Sequence, residues 1–232
     1  LGFNPVMEPY VIVEEDGSLS GFLIEIYEKL QEILGIEVKI EIEYWPKMIE
    51  KAGNRVVDGL LGAAAPLARS LGMPQTKPFF NTFITVFTRQ DNPISVNELE
   101  DLKGLTIAYL KGDSFTPLML EAIREKCTII EADNTLNSFT LVQEGKADVA
   151  LGRNQDTYFL KKYVISNIKP IFTFLDRPVA AGAAIRADWP ELVGILNKGI
   201  DALGEDRIKN ILAKWIELPA SKKTFTLTEQ EK

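Results

Sequence analysis

The chain has 232 residues, enough for one large domain or two small lobes. Hydrophobic residues make up 46% and charged residues 25%, an ordinary globular balance. The formal net charge is −7, so the cationic footprint that a phosphate backbone or an anionic membrane surface requires is missing, and nucleic acid is excluded as a partner.

The absence of histidine removes Ser-His-Asp and Cys-His nucleophile systems and His-rich metal sites. The single cysteine, Cys127, can form neither an internal disulfide nor a thiolate cage, and reads as a half-buried thiol. No metal site and no cofactor are expected. No apolar run reaches the roughly 18 residues of a membrane span. The chain opens at Leu1 directly into a strand-like segment, with no leader pattern, and reads as a mature or excised fragment.

In chain order, the spacing predicts a helix over 23–34, with Leu23, Ile26, Tyr27, Leu30, Ile33 and Leu34 on one face and Gly35 as its stop. Segment 36–44 alternates, with Ile36, Val38, Ile40, Ile42 and Tyr44 on one side and Glu37, Lys39, Glu41 and Glu43 on the other, the pattern of a strand with one wet face. A helix over 45–53 comes next. Helix, polar turn, aspartate and apolar strand then occur twice, ending on Asp58 and on Asp148. A unit used twice points to two α/β lobes of related build. Residues 90–104 are polar and turn-rich, as the entry to a second lobe would be, and 105–110 read as a buried strand. Pro117 sits near the first turn of a helix expected to run to about Lys126. Further helices are expected at about 190–203 and 205–217, and 219–232 read as a C-terminal linker.

These residues also form a family pattern. Pro9-Tyr10, the run Asp16-Gly17-Ser18-Leu19-Ser20-Gly21-Phe22, Trp45 thirteen residues before Asp58, and Gly62 seven residues before Arg69 with Pro78-Phe79-Phe80 beyond stand in order. Leu102-Lys103-Gly104, Lys111-Gly112, Glu144-Gly145-Lys146-Ala147-Asp148 and Trp215 continue it. Over about residues 2–217 the chain resembles the family-3 bacterial extracellular solute-binding proteins. The resemblance implies an α/β, two-lobed periplasmic-binding-protein type II (Venus-flytrap) fold with two crossover hinge strands, near 83–89 and 177–184. Residues 1–86 plus 180–218 would form the first lobe and 87–179 the second. The segment Leu218-Pro219 with 225–231 resembles the stretch C-terminal to such a module in membrane-anchored sensor kinases. That implies a periplasmic or extracytoplasmic module, tethered to the membrane in the full-length protein. Its partners would be a small-molecule carboxylate ligand and, in the same chain, signalling domains or a neighbouring flytrap module. A homodimer stays open.

By the same resemblance Arg69 is the clamp for the ligand's carboxylate, for which a planar guanidinium fork is suited. Asn4 takes the place of a polar contact, and Tyr10 and Trp45 look like aromatic walls, although core packing is an equal reading for Tyr10. Gly62 and Ala64 would offer backbone groups at a strand end. Ser114 would use a helix N-terminus to hold an anion, with Asp113 beside it capping that helix. Two positions depart from the family pattern. Pro66 stands where the family has a threonine donor, and Arg153 stands where it has the aspartate that pairs with a ligand's ammonium group. Two like charges about 4 Å apart at an effective dielectric near 20 repel by about 4 kcal/mol, the size of a recognition term. A carboxylate without an amine therefore fits Arg69 and Arg153 better than a standard amino acid, unless Asp156 neutralises Arg153 or takes the amine itself. The expected function is a ligand-binding sensor module. The alternatives are a transport-type binding protein for amino acids and an enzyme of the same fold, a dehydratase or glycan-cleaving relative, whose acid or base would have to be Asp113 or Asp156.

Overall fold

The computed structural model describes residues 1–3, 8–43, 45–111, 113 and 115–215. In chain order the elements are β1 (Gly2–Phe3), β2 (Ile12–Val13), β3 (Leu19–Ser20), α1 (Phe22–Leu34), β4 (Glu41–Ile42), α2 (Trp45–Gly53), β5 (Gly59–Ala64) and α3 (Ala65–Ser70). They continue with β6 (Phe80–Thr82), β7 (Ile84–Arg89), β8 (Thr106–Leu110), α4 (Thr116–Leu120), β9 (Thr128–Ala132), α5 (Thr135–Gln143) and β10 (Val149–Arg153). The last are α6 (Thr157–Lys162), β11 (Ile168–Thr173), β12 (Val179–Ile185), α7 (Glu191–Leu203) and α8 (Glu205–Trp215).

The apolar periodicity of 22–34 becomes α1, which buries Phe22, Leu23, Ile26, Tyr27 and Leu30. Ile33, expected on the same face, is exposed. The helix starts after Gly21, whose φ is 116° and whose place a Cβ could not share: it would lie 2.6 Å from the carbonyl oxygen of Tyr10 and 2.8 Å from that of Pro9. It stops at Gly35, in the left-handed region, whose N–H donates to the Gln31 carbonyl.

The alternating segment 36–44 forms a ladder only at β4, shorter than the strand expected. Ile36, Val38, Ile40 and Ile42 still turn toward the core beneath α1. The alternation thus records a half-buried face, whereas the pairing needs β1 beside it, and β1 is two residues long. The helix expected over 117–126 is broken in two. α4 ends at Leu120, and a 3-10 turn takes Arg124–Lys126.

Among the described residues the strands form two five-stranded sheets and a β2–β3 pair. The first sheet has the order β4-β1-β5-β12-β6, with β4, β1 and β5 parallel and β12 antiparallel to its neighbours. The second has the order β11-β7-β10-β8-β9, with β9, β8 and β10 parallel and β7 antiparallel. The repeated helix–turn–aspartate–strand unit supplies an inner parallel strand in each, β5 after Asp58 and β10 after Asp148. The Asp148 carboxylate accepts the Thr106 N–H at 2.7 Å and ties the start of β10 to β8.

The chain passes between the sheets twice. Only Phe83 separates β6 in the first sheet from β7 in the second, and residues 174–178 lead from β11 back to β12. Each sheet has its own apolar core. Phe22, Phe80, Ile185, Leu196 and Ile211 pack beneath α1, α7 and α8, while Val86, Ile107, Leu120 and Val149 fill one face of the second sheet. Phe87 and Phe139 meet on the opposite face of the second sheet at 5.0 Å between centroids, each fully buried and worth about 1.5–3 kcal/mol. Cys127 is half-buried, and its thiol donates to the Leu102 carbonyl at 3.3 Å.

Candidate functional site

The carboxyl ends of the parallel strands are where open α/β sheets bind ligands, because the chain turns there into loops and helix starts. Several of the expected site residues belong to these ends. β5 carries Gly62, whose φ is 65°, and closes at Ala64, which precedes α3. β8 leads to Asp113, and β10 ends at Arg153. Asn4 and Ser114 lie outside the described residues. Trp45 opens α2, and its side chain also lies outside the described part of the chain. The tail 219–232 is likewise outside it.

Pro66 falls in the first turn of α3, where the missing N–H costs no helical hydrogen bond. Arg69 occupies the last turn of α3. Its side chain is exposed, and its Nε–H lies 3.4 Å from the Ala65 carbonyl of the same helix.

In the second sheet the β8–β10 register sets Leu151 opposite Tyr109, so the residues just past the two strands are brought together. Asp113 accepts the Phe115 N–H at 2.9 Å and the Thr116 hydroxyl proton, and so shapes the turn into α4. The same carboxylate accepts from Arg153 Nη2 at 2.7 Å. This corrects one expectation: the neutralising partner of Arg153 is Asp113, not Asp156. The cause is local. After β10 the chain enters a 3-10 turn over Asn154–Asp156, which folds the Asp156 carboxylate back onto the Arg153 backbone N–H at 2.6 Å. Arg153 also faces the Phe115 ring, 5.8 Å from its centroid, and its Nη1 is buried with no hydrogen-bond partner among the described residues.

Asp156 is buried beside Gly152, where a Cβ would come within 2.4 Å of its Oδ2. Burial raises its pKa to about 7, opposed by the Arg153 N–H bond and the Arg153 charge and reinforced by the charge of Asp113.

Tyr10 is 4% exposed and packs on Phe22 at 4.7 Å and Phe80 at 5.3 Å, so in this conformation it is part of the core rather than a cleft wall. Burial raises its pKa, partly offset by a hydrogen bond with Thr82, and the charges of Asp156 and Arg153 act on it.

Sequence reasoning missed Thr82, Asn154 and Gln155. Thr82 Oγ1 donates to Gln155 Oε1 at 2.7 Å, with Asn154 Oδ1 a second acceptor at 3.1 Å. The Phe83 N–H donates to Asn154 Oδ1 at 2.8 Å, and the Asn154 N–H donates to the Phe83 carbonyl at 2.9 Å. The first crossing between the sheets is thus held against the turn that carries Arg153 and Asp156. The available signal was three polar residues, Asn154-Gln155-Asp156, directly after an apolar strand; all three are buried. Nearby, Lys162 at the end of α6 donates to Glu8 at 2.6 Å. Among the described residues no group of three His, Cys, Asp or Glu side chains could hold a metal ion, and no helix is long and apolar enough to cross a membrane.

Residues 1–218 match the family model for bacterial extracellular solute-binding proteins, family 3. The chain is 24% identical over 210 residues to the virulence sensor protein BvgS of Bordetella bronchiseptica, covering 89% of this chain but only 17% of the sensor's length. The BvgS periplasmic VFT2 domain of Bordetella pertussis superposes with a TM-score of 0.80 at 20% identity, covering 93% of this chain and 92% of that one. An ancestral arginine-binding protein bound to arginine superposes with a TM-score of 0.78, also at 20% identity, covering 93% of this chain and 96% of that one.

Proposed function

The chain belongs to the bacterial extracellular solute-binding proteins of family 3, and from that premise we propose that it is an extracytoplasmic sensor module that closes on a small carboxylate lacking an amine. Its fold is the periplasmic-binding-protein type II fold, and it is a solute-binding domain. In our reading residues 1–86 plus 180–218 and residues 87–179 act as the two lobes, with no catalytic role. A membrane-tethered signalling partner in the same polypeptide fits the likeness to BvgS, of which this chain spans 17%.

The observation that carries the ligand reading is the buried, unpartnered Nη1 of Arg153 at the carboxyl end of β10. A buried guanidinium donor without an acceptor costs free energy, and a ligand carboxylate would remove that cost. Asp113 pairs with Arg153, so in this reading Arg69 is the cation left for the ligand's carboxylate. The lobes would close because the closed state adds contacts from the second sheet, and only that difference in affinity can drive a signal. Calorimetric titration with monocarboxylates tests the reading. Arg69→Ala should abolish binding, and Arg153→Asp should shift preference toward amine-bearing ligands. Unchanged affinity and selectivity in both variants would refute the site.

A transport-type amino-acid binder is the second reading. The Asp113–Arg153 pair favours it, because a neutralised Arg153 repels an ammonium group less than a lone cation would. Titration with zwitterionic amino acids separates the two.

A further inference from the structure

Away from the two crossings, an ion pair spans the boundary between the sheets. Lys162, the last residue of α6, donates to a Glu8 carboxylate oxygen at 2.6 Å, across 154 positions of sequence. Glu8 belongs to the first lobe and Lys162 to the second. Their side chains are 18% and 36% exposed, so solvent screens the pair only in part. α6 starts directly after the Asn154–Asp156 turn that holds the first crossing. Its 6 residues rise about 1.5 Å each, which sets Lys162 about 9 Å beyond that turn.

Each partner is fixed to its own lobe. Next to Glu8, the carbonyls of Pro9 and Tyr10 accept the Phe22 and Leu23 N–H groups at 3.2 Å and 3.1 Å, and Tyr10 is buried in the first core. In α6, Phe159 is buried with Phe87 and Phe139 against the second sheet and stacks on Tyr163 at 6.1 Å. The Lys162 nitrogen lies over the Tyr158 and Tyr163 rings, 5.8 Å and 5.6 Å from their centroids. Partners held in this way lose less side-chain freedom on pairing than two loose surface chains do. The boundary beside the pair is open. A cavity of about 680 Å³ lies between Thr157, Tyr158 and Lys161 of α6 and Ala213, Lys214 and Trp215 of α8. Buried apolar surface therefore gives little resistance to rotation there.

We propose that Glu8 and Lys162 form a latch between the lobes, which biases the module toward the lobe arrangement described above. The proposal rests on the two-lobe reading under Proposed function. A shift of α6 by about 1 Å away from Glu8 takes the pair out of hydrogen-bond range, so the contact exists in one arrangement and is lost in others. An interaction made in only one of two states moves the balance between them, and so sets how much differential affinity a ligand must supply to change it.

The test is the distance between spin labels on the two lobes, measured by pulsed electron paramagnetic resonance. The labels sit at Ala202→Cys in α7 and Asn137→Cys in α5, both exposed, in a Cys127→Ser background. Glu8→Gln and Lys162→Gln should each raise the ratio of displaced to parent-like distances about two- to fivefold, the range for a partly exposed pair. Lys162→Glu, which sets two carboxylates together, should raise it further. Glu8→Gln/Lys162→Gln should go no further than either single change, and the swap Glu8→Lys/Lys162→Glu should bring the ratio back toward the parent. Asn154→Ala, which loosens the crossing without touching the pair, is the reference for lobe motion. If it changes the distances while the Glu8 and Lys162 variants do not, the latch is overturned and the two lobes stand. If no variant changes them, the two-lobe reading fails and the latch with it. Additive single changes, or a swap that behaves like Lys162→Glu alone, overturn the latch as well.

Discussion

The guanidinium of Arg153 and the carboxylate of Asp113 meet at 2.7 Å across the carboxyl ends of two neighbouring parallel strands. Their side chains are 17% and 13% exposed, so solvent screens the pair little. Asp113→Asn leaves the charge of Arg153 without its partner and weakens the turn into α4. The expected loss is about 2–4 kcal/mol in urea denaturation, below the full cost of breaking a wholly buried pair. The double change Asp113→Asn/Arg153→Gln should cost less than the sum of the single changes, because it leaves no uncompensated charge.

Asp156 sets a pH dependence. Its folded pKa lies at about 7, above the ordinary 3.8, so the folded state keeps a proton that the unfolded chain has already lost. The stability this group contributes is complete below about pH 4 and declines as pH rises to about 7. Asp156→Asn never ionises and keeps an acceptor for the Arg153 N–H. It should therefore gain on the parent between pH 5 and pH 8 by about 1–3 kcal/mol in denaturant titrations.

Asn154 holds the first crossing through two backbone bonds to Phe83, one from its side chain and one from its main chain. Asn154→Ala removes the side-chain acceptor and leaves the Phe83 N–H unsatisfied. A loss of about 1–3 kcal/mol is expected, together with faster hydrogen exchange at the Phe83 amide.

Gly21→Ala should destabilise by about 2–4 kcal/mol, because the new methyl group meets two carbonyl oxygens in a backbone conformation that L side chains avoid. Thermal unfolding reads this directly.

Much of the fold was legible because it rests on local patterns. The apolar stripe of α1, its stop at Gly35 and the two aspartate-led strands arise from short stretches of chain. The features that were not legible depend on neighbours distant in sequence. The 36–44 alternation showed its buried face but not its short ladder, since ladder length depends on β1. The role of Asp113 could not be read from its own turn, because its partner lies 40 residues on and arrives through the β8–β10 register. Tyr10 has the same apolar ring whether it lines a cleft or a core, and only the packing of Phe22 and Phe80 around it decides between them.

The central claim is that the module closes on an amine-free monocarboxylate held by Arg69. A thermal-shift screen of small organic acids against zwitterionic amino acids, on the parent and on Arg69→Ala, tests it most directly. At about one hundred times the dissociation constant, an organic acid should raise the parent's midpoint by roughly 5–10 °C. Amino acids should leave it unchanged, and Arg69→Ala should respond to neither class. Stabilisation by amino acids alone, or an organic-acid shift that persists in Arg69→Ala, would contradict the account.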